Sequence, residues 1–215
     1  MSLQDALILY GALIVAVILH EISHGVVALY YGDDTAKQAG RLTLNPIPHV
    51  DPVGSVLLPG MVILANTALT LTGASAGILP VLGWAKPVPV NPARLRNPRS
   101  NMLFVGLAGP FTNFALMLAA AYGARVLLGD GGLAFDILLN FAFVNLFLGI
   151  FNMLPIPPLD GSSLIERVLP ERHLGAWYRF RPYGFLVIFA GFFWFDLFGK
   201  IIDPFGTQLA EFIVS

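Results

Sequence analysis

The chain has 215 residues, of which 56% are hydrophobic and only 12% charged, with a formal net charge of −1. Soluble domains carry about twice that share of charge, and a mean hydropathy of +0.75 places many of these apolar side chains in lipid. The near-neutral balance and the lack of a basic tract give nucleic acid no foothold. The absence of cysteine removes disulfides, thiolate metal sites and cysteine nucleophiles together.

The first apolar run, residues 6–31, is long enough to cross a bilayer as a helix. It has no basic region ahead of it, and histidines interrupt it, so a cleaved signal peptide is not expected. Gly32, Asp33 and Asp34 end it, and a polar, turn-rich stretch follows. The apolar stretch 53–82 is broken by Pro59, Gly60, Gly73 and Pro80, and reads either as one span or as a hairpin. GWAKPVPVNP, residues 83–92, is predicted to be an edge strand. Pro87 and Pro89 strip one edge of donors, and the N–H groups of Lys86, Val88 and Val90 line the other.

Two further spans are predicted over 102–128 and 133–154, joined by a turn at Gly131 and Gly132. PIPPLDG, residues 155–161, cannot be helical throughout. A short helix starts near Asp160 or Ser163, where Ser163 and Glu166 have capping-box spacing. A last apolar segment covers 183–202. The expected architecture is an all-α polytopic membrane protein of about four to six transmembrane helices with a small extended or β element near 83–92. It reads as a single membrane-embedded domain, 1–215, with a core at about 6–168 and a C-terminal helical segment at about 182–215. Two spans separate the basic loop of Lys86, Arg94, Arg96 and Arg99 from that of Arg167, Arg172, Arg179 and Arg181. Both loops therefore lie on one side, the cytoplasmic one.

The chemistry sits in the first apolar run. His20-Glu21-Ile22-Ser23-His24 is an HExxH pattern. Residues four apart on a helix lie nearly above one another, so His20 and His24 can offer nitrogens to one ion. Glu21 lies beside that face, where it can take a proton from water without binding the ion. The pair suits Zn²⁺, which in a catalytic site wants a third protein ligand. Unpaired, these groups would cost several kcal/mol in hydrocarbon, and a bound dication offsets that cost. His49, in a polar loop with Asp51, and His173, in a charged loop, read as surface residues. Asp160 is the acidic candidate for third ligand, although spacing alone favours its commoner use as a helix N-cap.

These residues resemble the site-2 protease family of intramembrane zinc metalloproteases, in particular its short members without a PDZ domain. The resemblance rests on HEISHG at 20–25, GRLTLNPIPHVDPVG at 40–54, GWAKPVPVNP at 83–92, AGPFTN at 108–113 and FNMLPIPPLDG at 151–161. It implies one Zn²⁺ per chain held by His20, His24 and Asp160, with Glu21 as the catalytic base. It also implies a transmembrane protein substrate cleaved within the bilayer, and a multi-pass cell membrane location, bacterial or archaeal. Asn113 and Asn152 match polar family positions near the site. Hydrogen bonding between helices is the favoured role of Asn113, and substrate contact is a further role held open for Asn152 and, beside it, Asn113. Lys86, Val88 and Val90 are the candidate backbone donors for pairing with an extended substrate. Related members also imply that 53–82 makes no net crossing. The competing readings are a membrane metal-ion transporter and a catalytically silent membrane-binding relative. Oligomeric state is not legible.

Overall fold

The computed structural model describes residues 3–57, 60–62, 64–65, 86–129, 131–195 and 197–215. Helix α1 spans Leu3–Tyr30 and is followed by the short α2, Thr35–Gln38. The two long helices after it are α3, Pro98–Val126, and α4, Gly132–Met153. Pro98 stands at the first turn of α3, where its missing N–H costs nothing. Four α-helices follow them among the described residues: α5 at Ser162–Val168, α6 at Glu171–Phe180, α7 at Gly184–Phe195 and α8 at Leu197–Val214.

Three helices are long and apolar enough to cross a membrane: Gln4–Tyr30, Pro98–Val126 and Gly132–Met153. At 1.5 Å per residue, even the shortest reaches about 33 Å, the thickness of a hydrocarbon core. Their outward faces carry Leu7, Leu13, Val26, Phe104, Phe111 and Leu118, all exposed. A water-soluble protein would not leave so many large apolar groups uncovered.

The three helices pack on one another, α3 against α4 most extensively and α1 against both. The seam between α3 and α4 is built from Ala120, Ala121, Ala124 and Ala142, all buried, with Leu209 and Ile213 of α8 closing over it. Small side chains let the backbones approach, which is how helices associate where lipid removes the hydrophobic drive. Contacts of His24 with Val105 and of His20 with Asn113 make α1 and α3 antiparallel. Ala12 and Ala16 pack beside Val144 of α4, and the short turn from Val126 to Gly132 reverses the chain after α3, so α4 runs parallel to α1.

The ends of these helices gather the basic loops. Arg96 N–H donates to the carbonyl of Tyr31 at 3.0 Å. Arg99 reaches the Leu169 carbonyl, and its guanidinium lies 3.4 Å from Glu171. The two arginine-rich loops therefore meet at one end of the bundle, beside the end of α1. The flanks of the ambiguous apolar stretch meet each other, because Lys86 N–H donates to His49 O at 2.9 Å. Most of that stretch falls outside the described residues.

Several expectations need correction. Among the described residues there is no strand, and 86–91 run without strand pairing; residues 83–85 of the predicted element lie outside them. The donors assigned to a free edge are already engaged: that of Lys86 by a loop carbonyl and that of Val88 by a side chain. His49 is not a surface residue. It is 2% exposed, with Nε2 bonded to the Thr43 carbonyl at 3.0 Å. The capping box of Ser163 and Glu166 does not form either. Gly161 occupies the N-cap of α5, and Glu166 instead holds Trp177 Nε1 at 3.1 Å and Arg181 at 3.0 Å.

Candidate metal centre and active site

One turn of α1 carries His20 and His24 on the face that meets α3. Both rings are buried. The chain passes through PIPPLDG after α4 and brings Asp160 to the same point. Asp160 does not cap α5 with its side chain. Its Oδ2 lies 3.0 Å from His20 Nε2 and 3.3 Å from His24 Nε2, and the two Nε2 atoms are 3.1 Å apart. A tetrahedral zinc site with bonds of about 2.0–2.1 Å separates neighbouring ligand atoms by about 3.3–3.4 Å. The triangle observed here is of that size. Among the described residues, His20, His24 and Asp160 are the group able to hold a metal ion.

Hydrogen bonding around the rings settles which nitrogens face the centre. His24 Nδ1 lies 2.6 Å from the Val105 carbonyl, which can only accept, so Nδ1 carries a proton and, in the neutral ring that ligation needs, Nε2 has the lone pair. For His20 the same result comes through a relay. Asn145 Nδ2 donates to the Phe141 carbonyl at 2.8 Å, which turns Asn145 Oδ1 toward Asn113. Asn113 Nδ2 donates to that oxygen at 2.8 Å, and Asn113 Oδ1 faces His20 Nδ1 at 2.6 Å. His20 therefore also presents an Nε2 lone pair. Asp160 Oδ2 is buried and meets no hydrogen-bond donor among the described residues. Two nitrogen lone pairs and a carboxylate oxygen pointing at one another repel unless a cation sits between them. The donor set fits a dication such as Zn²⁺, with its outer hydrogen bonds already made.

Two glycines make room for this centre. A Cβ on Gly109, in the AGP sequence of α3, would stand 2.5 Å from His20 Nε2 and 2.6 Å from His24 Nε2. Hence α3 can cross the histidines only with a bare backbone there. A Cβ on Gly161 would collide with the Met153 carbonyl. Its absence lets Gly161 N–H donate to Asn152 O at 2.7 Å, which folds the Asp160 loop back over the end of α4.

Glu21 lies beside the histidine pair, half-buried, and its Oε2 accepts the Val88 N–H at 2.7 Å. The strap 86–91 thus runs across the site, with Val88 itself buried. The remaining predicted residues are placed as follows. Asn113 is fully buried, with both polar ends occupied between α1 and α4. Asn152 is half-buried, and its Nδ2 donates to the Leu148 carbonyl of its own helix at 3.1 Å. Lys86 is held through its N–H by His49, and Val90 packs beside Ala28, Leu95 and Val105. Sequence reasoning missed Asn145, Gly109 and the Val105 carbonyl. A lone asparagine inside FAFVNLFLG was a readable signal, since an amide in a span needs a partner. The carbonyl had none.

The description of peptidase family M50 matches residues 130–179. The chain is similar to two proteins titled "Putative zinc metalloprotease", YwhC of Bacillus subtilis and Rip2 of Mycobacterium tuberculosis. It is 37% identical to YwhC over 200 residues, 87% of this chain and 80% of YwhC. It is 31% identical to Rip2 over 159 residues, 71% of this chain and 54% of Rip2. It is also 23% identical to "Zinc metalloprotease MJ0392" of Methanocaldococcus jannaschii over 167 residues, 77% of this chain and 35% of that protein. The chain thus spans about half of Rip2 and a third of MJ0392. No solved structure matches it significantly. By its coverage of YwhC, this chain belongs to the site-2 protease family, peptidase family M50.

Proposed function

We propose that the chain is an intramembrane zinc metalloprotease that cleaves peptide bonds in or near the transmembrane segments of other membrane proteins. His20, His24 and Asp160 hold the zinc, and Glu21 is the general base. The observation that carries this reading is the meeting of His20 Nε2, His24 Nε2 and Asp160 Oδ2 within 3.3 Å of one another, with Glu21 alongside. Bound there, the metal supplies a Lewis acid and brings the pKa of water to about 7.

The protein's own groups do the rest. Asn113 and the Val105 carbonyl lock the two imidazoles in the tautomers that ligation needs. Glu21 takes a proton from water and hands it to the departing amine. A helical substrate hides its carbonyls in its own hydrogen bonds and must unwind locally. The strap offers the backbone N–H groups of Val88 and Val90 to the extended segment that results, while that of Lys86 stays on His49 O. A substrate carbonyl there competes with Glu21 for the Val88 N–H, which places the scissile bond next to the base. Asn152 sits at the edge of the site, where a half-buried amide can reach substrate.

The finer membrane reading is also proposed. Four to six crossings come from the three long helices together with the stretch 53–82 and the helices after Gly184. The arginine-rich end faces the cytoplasm of a bacterial or archaeal cell. A transporter reading has no support of this kind, because it leaves Glu21 and the strap without a role.

The test is cleavage of a model transmembrane peptide by purified protein, alongside metal analysis. Glu21→Gln is expected to keep its zinc and lose cleavage by a factor of about 10³ or more. His20→Ala is expected to lose the metal. Cleavage at the wild-type rate by Glu21→Gln, or full zinc occupancy in His20→Ala, would overturn the assignment.

A further inference from the structure

The strap is also tied to the end of α1. Asp33, just past the end of α1, is 0% exposed. Its own N–H donates to Ala28 O at 2.9 Å, so the backbone is fixed to the last turn of the helix that bears His20 and Glu21. Its Oδ1 accepts the Thr35 N–H at 3.0 Å and the Thr35 hydroxyl. Its Oδ2 accepts the Asn91 N–H at 2.6 Å. Burial pushes the Asp33 carboxyl up in pKa. The Thr35 hydroxyl, the Asn91 and Thr35 amides and the Arg94 charge more than offset this, and hold it below its ordinary value. Just past the strap, Arg94 pairs with Asp34 at 2.6 Å, exposed on both sides and weak on that account. Asn91 follows Val88 by one short stretch of extended chain, and Val88 is the residue bonded to Glu21.

We propose that Asp33 is a positioning residue for substrate: it sets where the Val88–Val90 backbone lies across the metal centre, and so which bond of an extended substrate is cut. This rests on the reading above that the strap pairs with substrate.

The experiment compares wild type with Asp33→Asn and Val90→Pro on one transmembrane peptide. It measures zinc content, KM, kcat and the cleavage site by mass spectrometry. Asparagine is isosteric but turns an NH₂ toward either Thr35 or Asn91, each of which needs an acceptor. In Asp33→Asn the expected result is wild-type zinc, a KM raised on the order of tenfold, kcat changed less, and products spread over neighbouring bonds. Val90→Pro, which removes a strap donor, should also raise KM. An Asp33→Asn protein with wild-type KM and a single wild-type cut overturns the inference. So does loss of activity in proportion to lost zinc, which would mark Asp33 as purely structural. If Val90→Pro leaves KM unchanged, the pairing role of the strap falls and the inference with it. If wild type does not cleave at all, the protease reading itself fails. Should Asp33→Asn not accumulate, Asp33→Glu reads the same quantity, since it keeps the charge but moves the carboxylate by one methylene.

Discussion

Gly109 shows what a single atom decides in this protein. Alanine at 109 would insert a methyl among the two Nε2 atoms, inside the space a metal needs. Gly109→Ala is therefore expected to abolish zinc binding while leaving a folded helix, since alanine is the better helix former by about 1 kcal/mol. Metal analysis beside circular dichroism separates the two effects. Asn145 acts at one remove, through Asn113 onto His20. Asn145→Ala frees the Asn113 amide to turn, and zinc affinity should fall by about 10- to 100-fold, measured by competition with a chelating dye. At this scale the sequence is legible where chemistry repeats at helical spacing, as in His20 and His24. Asp160 is not legible by spacing, because its side chain arrives from a distant part of the chain and any aspartate ahead of a helix reads first as a cap. The burial of His49 is equally hidden. Loop composition says that a loop is polar, not which of its side chains turns inward to bond the Thr43 carbonyl.

Among the elements, the pairing of α3 with α4 carries the bundle. Its alanines leave no room for added volume, so Ala121→Leu is expected to cost about 1–3 kcal/mol by overpacking. The readout is a lower thermal midpoint in detergent, with the metal site itself unaltered. The three long helices are visible in sequence because an uninterrupted apolar run of that length has few other folds available. The strap shows where such reading stops. Two prolines announce an extended segment with one side stripped of donors, and the segment is indeed non-helical. A strand, however, requires a second strand, and the N–H groups of Lys86 and Val88 find His49 O and Glu21 instead. Sequence identifies which donors remain but not the partner waiting for them.

For the whole molecule, the metal centre is also a fastener. Its candidate ligands come from α1 and from the loop after α4, and their outer hydrogen bonds come from α3, so ligation there would tie all three spans together. Anything that binds only the folded state stabilises it, by about 2.7 kcal/mol at a hundred times the Kd. Removing zinc with a chelator should lower the thermal midpoint on the order of 5–10 °C, with recovery when zinc is returned. A chain whose midpoint ignores the chelator would not use these residues for metal.

The hydrogen bond from Lys86 N–H to His49 O has a separate consequence. It clasps the catalytic frame shut below everything inserted between those two residues, so the number of residues in that insert is a nearly free variable. Closing a loop twice as long costs only about 0.6 kcal/mol more. Evolution can therefore lengthen, shorten or exchange that segment at little cost to the placement of His49 and Lys86.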